Sequence, residues 1–306
     1  MISDDQNQLP PEESLAPAAE PPPASQVAPD FEAAPLQPAF AESEDPTRGL
    51  TQFPEDLRAP WGWVDLAFFA IIAFLGTFVV SLILVFGFAL VHPQSAANPP
   101  SLSEKSVLVI LSQTVLLLAL LGYLFVQMRV RFEMPFWRTI GWRPLETGQI
   151  PRRAVYLSLV LGGFVLSLLI QVASSAFQNK TKVPIESFFQ DRRSAFLLML
   201  MGVLVAPLVE ETIFRGYLYP VLARSFGIRS GVVVTGTLFG LLHAPQLWGA
   251  WGQIALLVVV GIIFTAARAL MRTVVASYLL HVSYNSFLFI AFLVASHGLR
   301  QLPVGP

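Results

Sequence analysis

Four acidic or histidine side chains lie inside apolar stretches in the second half of the 306-residue chain: Glu210, Glu211, His243 and His281. Ionisable groups in a hydrocarbon environment are costly and usually face one another or a water-filled cavity, so each one indicates a functional site. A carboxylate can take a proton from water, and an imidazole can orient or polarise the reactants. The sequence contains no cysteine, which excludes a thiolate nucleophile, a disulfide framework and a cysteine-ligated zinc.

The spacing around Glu210 assigns different partners to the two glutamates. Adjacent residues on a helix project about 100° apart, so Glu210 and Glu211 face different directions. Glu211 and Arg215 are four residues apart and can pair on one helix face. Glu210 is then free to face a cavity, and Pro207, which lacks a backbone N–H, predicts an opening of the helix just before it.

The two histidines lie on two other predicted helices. Gly236 and Gly240 form a small-residue pair that permits close helix approach before His243. His281 is followed after four residues by Asn285, so both side chains lie on one stripe. Each feature alone is common in structural helices, but two carboxylates and two histidines on three apolar segments favour one shared site.

Composition indicates that most of the chain lies in a membrane. Hydrophobic residues make up 54% of the sequence and charged residues 13%, and the mean hydropathy is +0.62. Seven apolar stretches are long enough to be predicted as spans: residues 64–91, 106–126, 154–177, 195–213, 231–248, 253–269 and 273–296. We predict an all-α, polytopic transmembrane helix bundle of about seven spans, with Trp61 and Trp63 as interfacial anchors.

The distribution of arginine predicts the orientation of the bundle. Six arginines lie between the second and third spans, at positions 127–153, whereas residues 92–105 carry a single lysine, Lys105. Short positively charged loops remain in the cytoplasm, so we predict a cytoplasmic N-terminus and an external C-terminus. At about 1.5 Å of rise per residue, Glu210, His243 and His281 then fall in the middle-to-inner part of the bilayer.

The chain divides into three predicted regions. Residues 1–60 contain half of the 24 prolines and show no helical or strand periodicity, which predicts a disordered, acidic, proline-rich cytoplasmic tail. Residues 61–150 hold the first two spans and the basic cytoplasmic loop, and residues 151–298 hold the candidate site.

Three features in chain order carry a family resemblance: the pair Glu210-Glu211 followed by Arg215, Phe239 four residues before His243, and His281 four residues before Asn285. The chain resembles the CPBP family of intramembrane endopeptidases, which includes CAAX prenyl proteases and proteins similar to lysostaphin resistance protein A. The resemblance covers roughly residues 154–296 and implies an all-helical peptidase with a cavity open to the cytoplasmic side.

The resemblance also implies roles for the matched residues. Glu210 would be the general base, and His243 would hold the attacking water with it. His281 and Asn285 would stabilise the oxyanion, while Glu211 and Arg215 would support the first glutamate. The substrate would be a peptide or protein at the membrane, lipidated or not, and the location an integral protein of a bacterial cytoplasmic membrane.

Several alternatives are compatible with the same residues. Zinc held by Glu210, His243 and His281 would give a three-ligand open site, although we favour a mechanism without a cofactor. A proton- or ion-coupled transporter would use buried glutamate and histidine as a relay. A catalytically idle family member would act in bacteriocin immunity or as a scaffold. Nothing in the charge pattern indicates a nucleic-acid partner.

Overall fold

The computed structural model describes residues 50–91, 101–177, 184–189 and 191–302, and all regular secondary structure in these ranges is helical. Ten α-helices follow one another in the described ranges: α1 Trp63–Val91, α2 Leu102–Val126, α3 Phe136–Thr139, α4 Arg152–Ser175, α5 Arg192–Leu200, α6 Ala206–Glu211, α7 Tyr219–Phe226, α8 Ile228–Leu242, α9 Trp251–Met271 and α10 Val274–Ala295. The predicted all-α class is confirmed.

Among the residues that the structure describes, six helical stretches are long and apolar enough to cross a membrane. They are Trp63–Val91, Ser103–Arg131, Arg152–Ser175, Arg192–Phe226, Trp251–Met271 and Val274–Ala295. The fifth predicted span, residues 231–248, corresponds to the shorter apolar helix α8, which has 15 residues. At 1.5 Å per residue α8 is about 22 Å long, shorter than a hydrocarbon core of about 30 Å.

Apolar side chains cover the outside of this bundle. Large hydrophobic residues along α1 are exposed, including Leu82 at 70%, and the buried residues of this helix are Asp65, Leu66 and Phe69 at its start. An exposed apolar surface of this extent is stable in lipid and unstable in water. The chain is therefore an integral membrane protein.

Trp61 is a core residue, so its prediction as an interfacial anchor is wrong. Its side chain is 1% exposed, its indole stacks on Tyr217 with ring centroids 5.0 Å apart, and Nε1 donates to the Tyr217 carbonyl at 2.8 Å. Trp63 is half exposed, as an interfacial residue would be. Asp65 is buried and paired with Arg131, because the start of α1 packs against the π-helical segment Gln127–Arg131 that follows α2.

Part of the predicted disordered tail is packed against the helices. Residues 1–49 lie outside the described ranges, but residues 53–61, which we name the N-terminal strap, contact the bundle through buried groups. Asp56 pairs with the fully buried Arg268 at 2.8 Å. Arg224 donates to the carbonyls of Leu57 and Ala59, both at 2.7 Å. The prediction of disorder is wrong for residues 50–60, whose composition resembles the tail but whose charges have specific partners.

Two deletions are expected to distinguish the contribution of residues 2–49 to stability from that of the N-terminal strap. Removal of residues 2–49 should leave the melting temperature in detergent unchanged, because that composition cannot bury a core. Removal of residues 2–58 should lower the stability by about 3 kcal/mol, because it leaves the Arg268 charge buried without Asp56. Equal melting temperatures for the two deletions would contradict the role given to the strap.

Glycines bring α8 and α9 into backbone contact, as the small-residue pair predicts. A Cβ on Gly236 would collide with the backbone of Ile262, and one on Gly240 would lie 2.6 Å from the backbone nitrogen of Val258. Gly261 on α9 faces the carbonyl of Gly236 in the same way. This close packing fixes the axis of α8, at whose end the first histidine lies.

The basic loop after α2 contacts both the start of α10 and the residue that follows Glu211. The backbone N–H of Val274, at the start of α10, donates to the Gly141 carbonyl at 2.9 Å. Gly141 has φ +93°, a conformation that glycine adopts without strain. The next residue, Trp142, donates from Nε1 to the Thr212 hydroxyl at 3.0 Å. The loop thus ties the start of α10 to the residue that follows Glu211.

Candidate active site

The two glutamates lie on a short α-helical piece between two wider helical turns. The stretch Arg192–Phe226 contains π-helical segments at Met201–Val205 and Thr212–Leu218, with α6 between them. Pro207 lies in the first turn of α6, so the predicted opening of the helix coincides with the first π-helical segment. Such π-helical insertions often occur at functional sites because they rotate side chains relative to a regular helix.

Glu210 faces both histidines. Its Oε1 is 4.0 Å from Nε2 of His243, and its Oε2 is 3.7 Å from Nε2 of His281. The side chains of Glu210 and His243 are 17% and 24% exposed, whereas that of His281 is 5% exposed. The three helices α6, α8 and α10 therefore bring these side chains to one partly open site, with His243 as the residue that caps α8.

Glu211 belongs to a second, fully buried cluster behind this site. Its Oε1 accepts from Arg215 Nη1 and from His281 Nδ1, both at 2.9 Å. The Glu211–Arg215 pair was predicted from the spacing. The resemblance implied that this pair supports Glu210; in the structure Glu211 also contacts His281, across 70 residues of sequence.

Each histidine has one ring nitrogen committed to an acceptor. Nδ1 of His243 lies 2.8 Å from the Phe239 carbonyl, and Nδ1 of His281 lies 2.9 Å from the Glu211 carboxylate. Carbonyl and carboxylate oxygens accept, so Nδ1 carries the proton in both rings. Nε2 of each ring is consequently the nitrogen that faces Glu210.

The Phe239 ring packs against Arg215 and both histidines. The Arg215 guanidinium lies 4.5 Å from its ring centroid, in cation–π contact. The ring centroids of His243 and His281 lie 4.9 Å and 5.6 Å from the same ring. A fully buried aromatic ring thus separates the paired charges from the partly open side, which explains why a phenylalanine precedes His243 by one turn.

Asn285 lies one turn beyond His281, and its amide is committed to another helix. Its Nδ2 donates to the Gly202 carbonyl at 2.7 Å, in the first π-helical segment. This carbonyl is accessible to a side chain because π-helical geometry changes the local hydrogen-bond pattern. Nδ2 carries two hydrogens, so the bond to Gly202 fixes the amide and leaves the second N–H for another acceptor.

Comparison with known families identifies the segment that contains this site. Residues 192–287 match the model of type II CAAX prenyl endopeptidase Rce1-like proteins. Residues 192–287 form an Rce1-like domain. All six predicted site residues lie inside the match, so the resemblance to CAAX-processing endopeptidases is confirmed. No curated protein and no solved structure matches the chain.

The Rce1-like domain also contains site residues that the sequence did not reveal. On α9, the Thr265 hydroxyl and the Gly261 carbonyl accept from Arg215, and the Phe264 ring lies 4.9 Å from His281. A threonine in the middle of an apolar helix was the available signal, since a polar group at that position needs a partner. Outside the matched range, Trp142 in the arginine-rich loop after α2 donates a hydrogen bond to Thr212.

The arrangement of Glu210, His243 and His281 differs from that of a tetrahedral zinc site. Among the residues that the structure describes, no group of three His, Cys, Asp or Glu side chains is arranged to hold a metal ion. The Glu210 oxygens are 3.7 and 4.0 Å from the histidine nitrogens, wider than the roughly 3.3 Å between neighbouring ligand atoms of a tetrahedral zinc with bonds near 2.0 Å. The side chains as arranged do not fit the predicted zinc alternative.

Proposed function

We propose that the Rce1-like domain is an intramembrane endopeptidase that hydrolyses a peptide bond with a water molecule activated by Glu210. The observation that carries this proposal is the position of one partly exposed carboxylate between the Nε2 atoms of His243 and His281. The match of residues 192–287 to type II CAAX prenyl endopeptidase Rce1-like proteins supports the reaction class.

The gap between Glu210 and His243 suits one water molecule. At 4.0 Å the two atoms are too far apart for a direct hydrogen bond, whereas a water about 2.8 Å from each would bridge them. With its proton on Nδ1, a neutral His243 accepts at Nε2, and Glu210 accepts at Oε1. Such a water directs both hydrogens to the protein and a lone pair towards the substrate carbonyl. Glu210 then takes one proton of the water as general base while the water oxygen bonds to the carbonyl carbon, and it gives this proton to the amide nitrogen when the C–N bond breaks.

His281 is the donor that we assign to the developing oxyanion. Because Nδ1 is committed to Glu211, Nε2 can donate only when the ring is doubly protonated. In that state the charges of Glu210, Glu211, Arg215 and His281 sum to zero, which limits the cost of burying them. A cationic donor fixed in a site of low dielectric stabilises negative charge more strongly than it would in water.

We also assign the second N–H of the Asn285 amide to the oxyanion, so Asn285→Ala is expected to lower the rate of cleavage by about a hundredfold to a thousandfold, the usual loss when one oxyanion donor is removed. The neighbouring Ser286, whose hydroxyl donates to the Val282 carbonyl on its own helix, provides a matched control as Ser286→Ala. Cleavage rates of purified protein and melting temperatures are compared. Equal rates in the two variants would remove Asn285 from the proposed mechanism.

The substrate that we propose is a membrane-associated peptide with a prenylated C-terminal CAAX sequence. Purified full-length protein in detergent is incubated with a fluorogenic farnesylated CAAX peptide and with its unprenylated counterpart. We expect time-dependent cleavage of the farnesylated peptide and slower cleavage of the other. Failure to cleave either peptide would contradict the proposed endopeptidase function and favour transport or an idle scaffold.

The proposed mechanism operates without a metal, and chelation tests this. After dialysis against a chelator and metal analysis, the purified protein should retain its cleavage rate. Loss of activity together with loss of stoichiometric zinc, and recovery of both on adding zinc back, would contradict the Glu210 mechanism in favour of a metal centre.

We further propose that the protein lies in a bacterial cytoplasmic membrane with its N-terminus in the cytoplasm, as the arginine-rich loop indicates. The chain lacks cysteine, so a cysteine introduced at one position provides the single thiol that a labelling reagent can modify. A cysteine at Ser95 should react with an impermeant reagent in intact cells, and one at Gly148 should react after permeabilisation. The opposite pattern would overturn the orientation.

A further inference from the structure

Arg215 is anchored by α9, a helix that carries none of the sequence-predicted site residues. Its Nε donates to the Thr265 hydroxyl at 3.1 Å, and its Nη2 donates to the Gly261 carbonyl at 2.8 Å. The Thr265 hydroxyl in turn donates to that same carbonyl at 2.7 Å. Two of the three guanidinium nitrogens are therefore fixed to α9, and the third, Nη1, is left to hold Glu211.

Water does not reach the groups that form this anchor. Arg215 and Thr265 are both 0% exposed. The rings of Phe214, Phe239 and Phe264 surround the guanidinium, with centroids 5.8, 4.5 and 5.6 Å from its central carbon. A donor enclosed in this way that loses its acceptor remains unpaired, so the guanidinium would have to turn away from its present position.

We propose that Thr265 is a positioning residue for the proposed hydrolysis and acts on His281 through Arg215 and Glu211. Three hydrogen bonds in series connect them: Arg215 Nε to Thr265, Arg215 Nη1 to Glu211 Oε1, and His281 Nδ1 to the same oxygen. Any rotation of the guanidinium moves the carboxylate that orients the His281 ring. The inference rests on the proposed function, because His281 is taken as the oxyanion donor.

The chain supplies a close control for this inference. Thr235 on α8 is also 0% exposed, and within the described residues its hydroxyl has no hydrogen-bond partner. Threonine and valine have nearly the same shape, so Thr265→Val and Thr235→Val remove one buried hydroxyl each. They differ in whether that hydroxyl holds a charged side chain.

The experiment measures kcat and KM of purified full-length variants on the fluorogenic farnesylated CAAX peptide, with rates normalised to folded protein. We expect Thr265→Val to lower kcat by about tenfold to a hundredfold, the effect of losing one hydrogen bond to a charged group, with KM unchanged. Thr265→Ser keeps the hydroxyl and should recover most of kcat. Thr235→Val should behave as the unmodified protein.

Two outcomes would overturn the inference. One is a kcat of Thr265→Val equal to that of Thr235→Val, and the other is a loss of kcat that Thr265→Ser does not recover. If Thr265→Val does not fold, Thr265→Ala is compared with Thr265→Ser in the same way. Glu210→Gln is measured in parallel, because full activity of that variant rejects the proposed function itself, whereas its inactivity with an unaffected Thr265→Val rejects the positioning role alone.

Discussion

Glu210→Gln is expected to lower the cleavage rate by about a hundredfold to ten-thousandfold, the range that a general base contributes. The amide has nearly the shape of the carboxylate and can still contact a water between itself and His243, but it cannot take the proton. His243→Ala should cause a loss of similar size, because it removes the acceptor that orients the water. Both variants are measured for cleavage of the farnesylated peptide and for melting temperature.

A conservative change elsewhere serves as the control for Glu210. Glu186→Gln makes the same substitution at an exposed position of the segment Pro184–Phe189 and should leave the rate unchanged. Glu210 is partly exposed, so its replacement by Gln should leave the melting temperature close to that of the unmodified protein. Cleavage by Glu210→Gln at the original rate would exclude this carboxylate as the base.

Arg215→Ala is expected to reduce both stability and activity. The side chains of Glu211 and Arg215 are both 0% exposed, so removal of the cation leaves a buried carboxylate without its countercharge. Breaking a buried pair in this way costs about 3 to 5 kcal/mol, which corresponds to a fall in melting temperature on the order of 10 °C. The folded fraction should be inactive, because Glu211 no longer fixes the His281 ring.

Two further variants sharpen the test of Arg215. Arg215→Lys should also lose activity, since a single ammonium group cannot replace a planar fork that binds Glu211, Thr265 and the Gly261 carbonyl together. Arg229→Ala removes an exposed arginine in the first turn of α8 and should be neutral. A melting temperature of Arg215→Ala equal to that of Arg229→Ala would contradict the buried network.

Local spacing was sufficient to predict those parts of the site that lie on one helix. Helical geometry alone places Arg215 beside Glu211, and the apolar stretches predict the helices that carry them. The contact between Glu211 and His281 was not predictable, because it depends on the relative rotation of α6 and α10. That rotation is set by π-helical segments and by packing, neither of which leaves a periodic signal in one sequence.

The sequence was least informative where composition and packing disagree. Residues 50–60 resemble the preceding proline-rich tail, yet Asp56 pairs with an arginine 212 positions away. The fifth predicted span was extended through His243 because the residues on either side are apolar, whereas the helix ends at Leu242. The sequence did not predict Thr265 as a site residue, because a threonine in an apolar helix commonly bonds to the backbone of its own helix.

Hydrolysis in isotopically labelled water tests the central claim most directly. Purified protein and Glu210→Gln are incubated with the farnesylated CAAX peptide in water enriched in oxygen-18, and the products are analysed by mass spectrometry. The proposed mechanism predicts cleavage by the unmodified protein, with one labelled oxygen in the newly formed carboxyl group, and little product from Glu210→Gln. Equal amounts of labelled product from both proteins would contradict it.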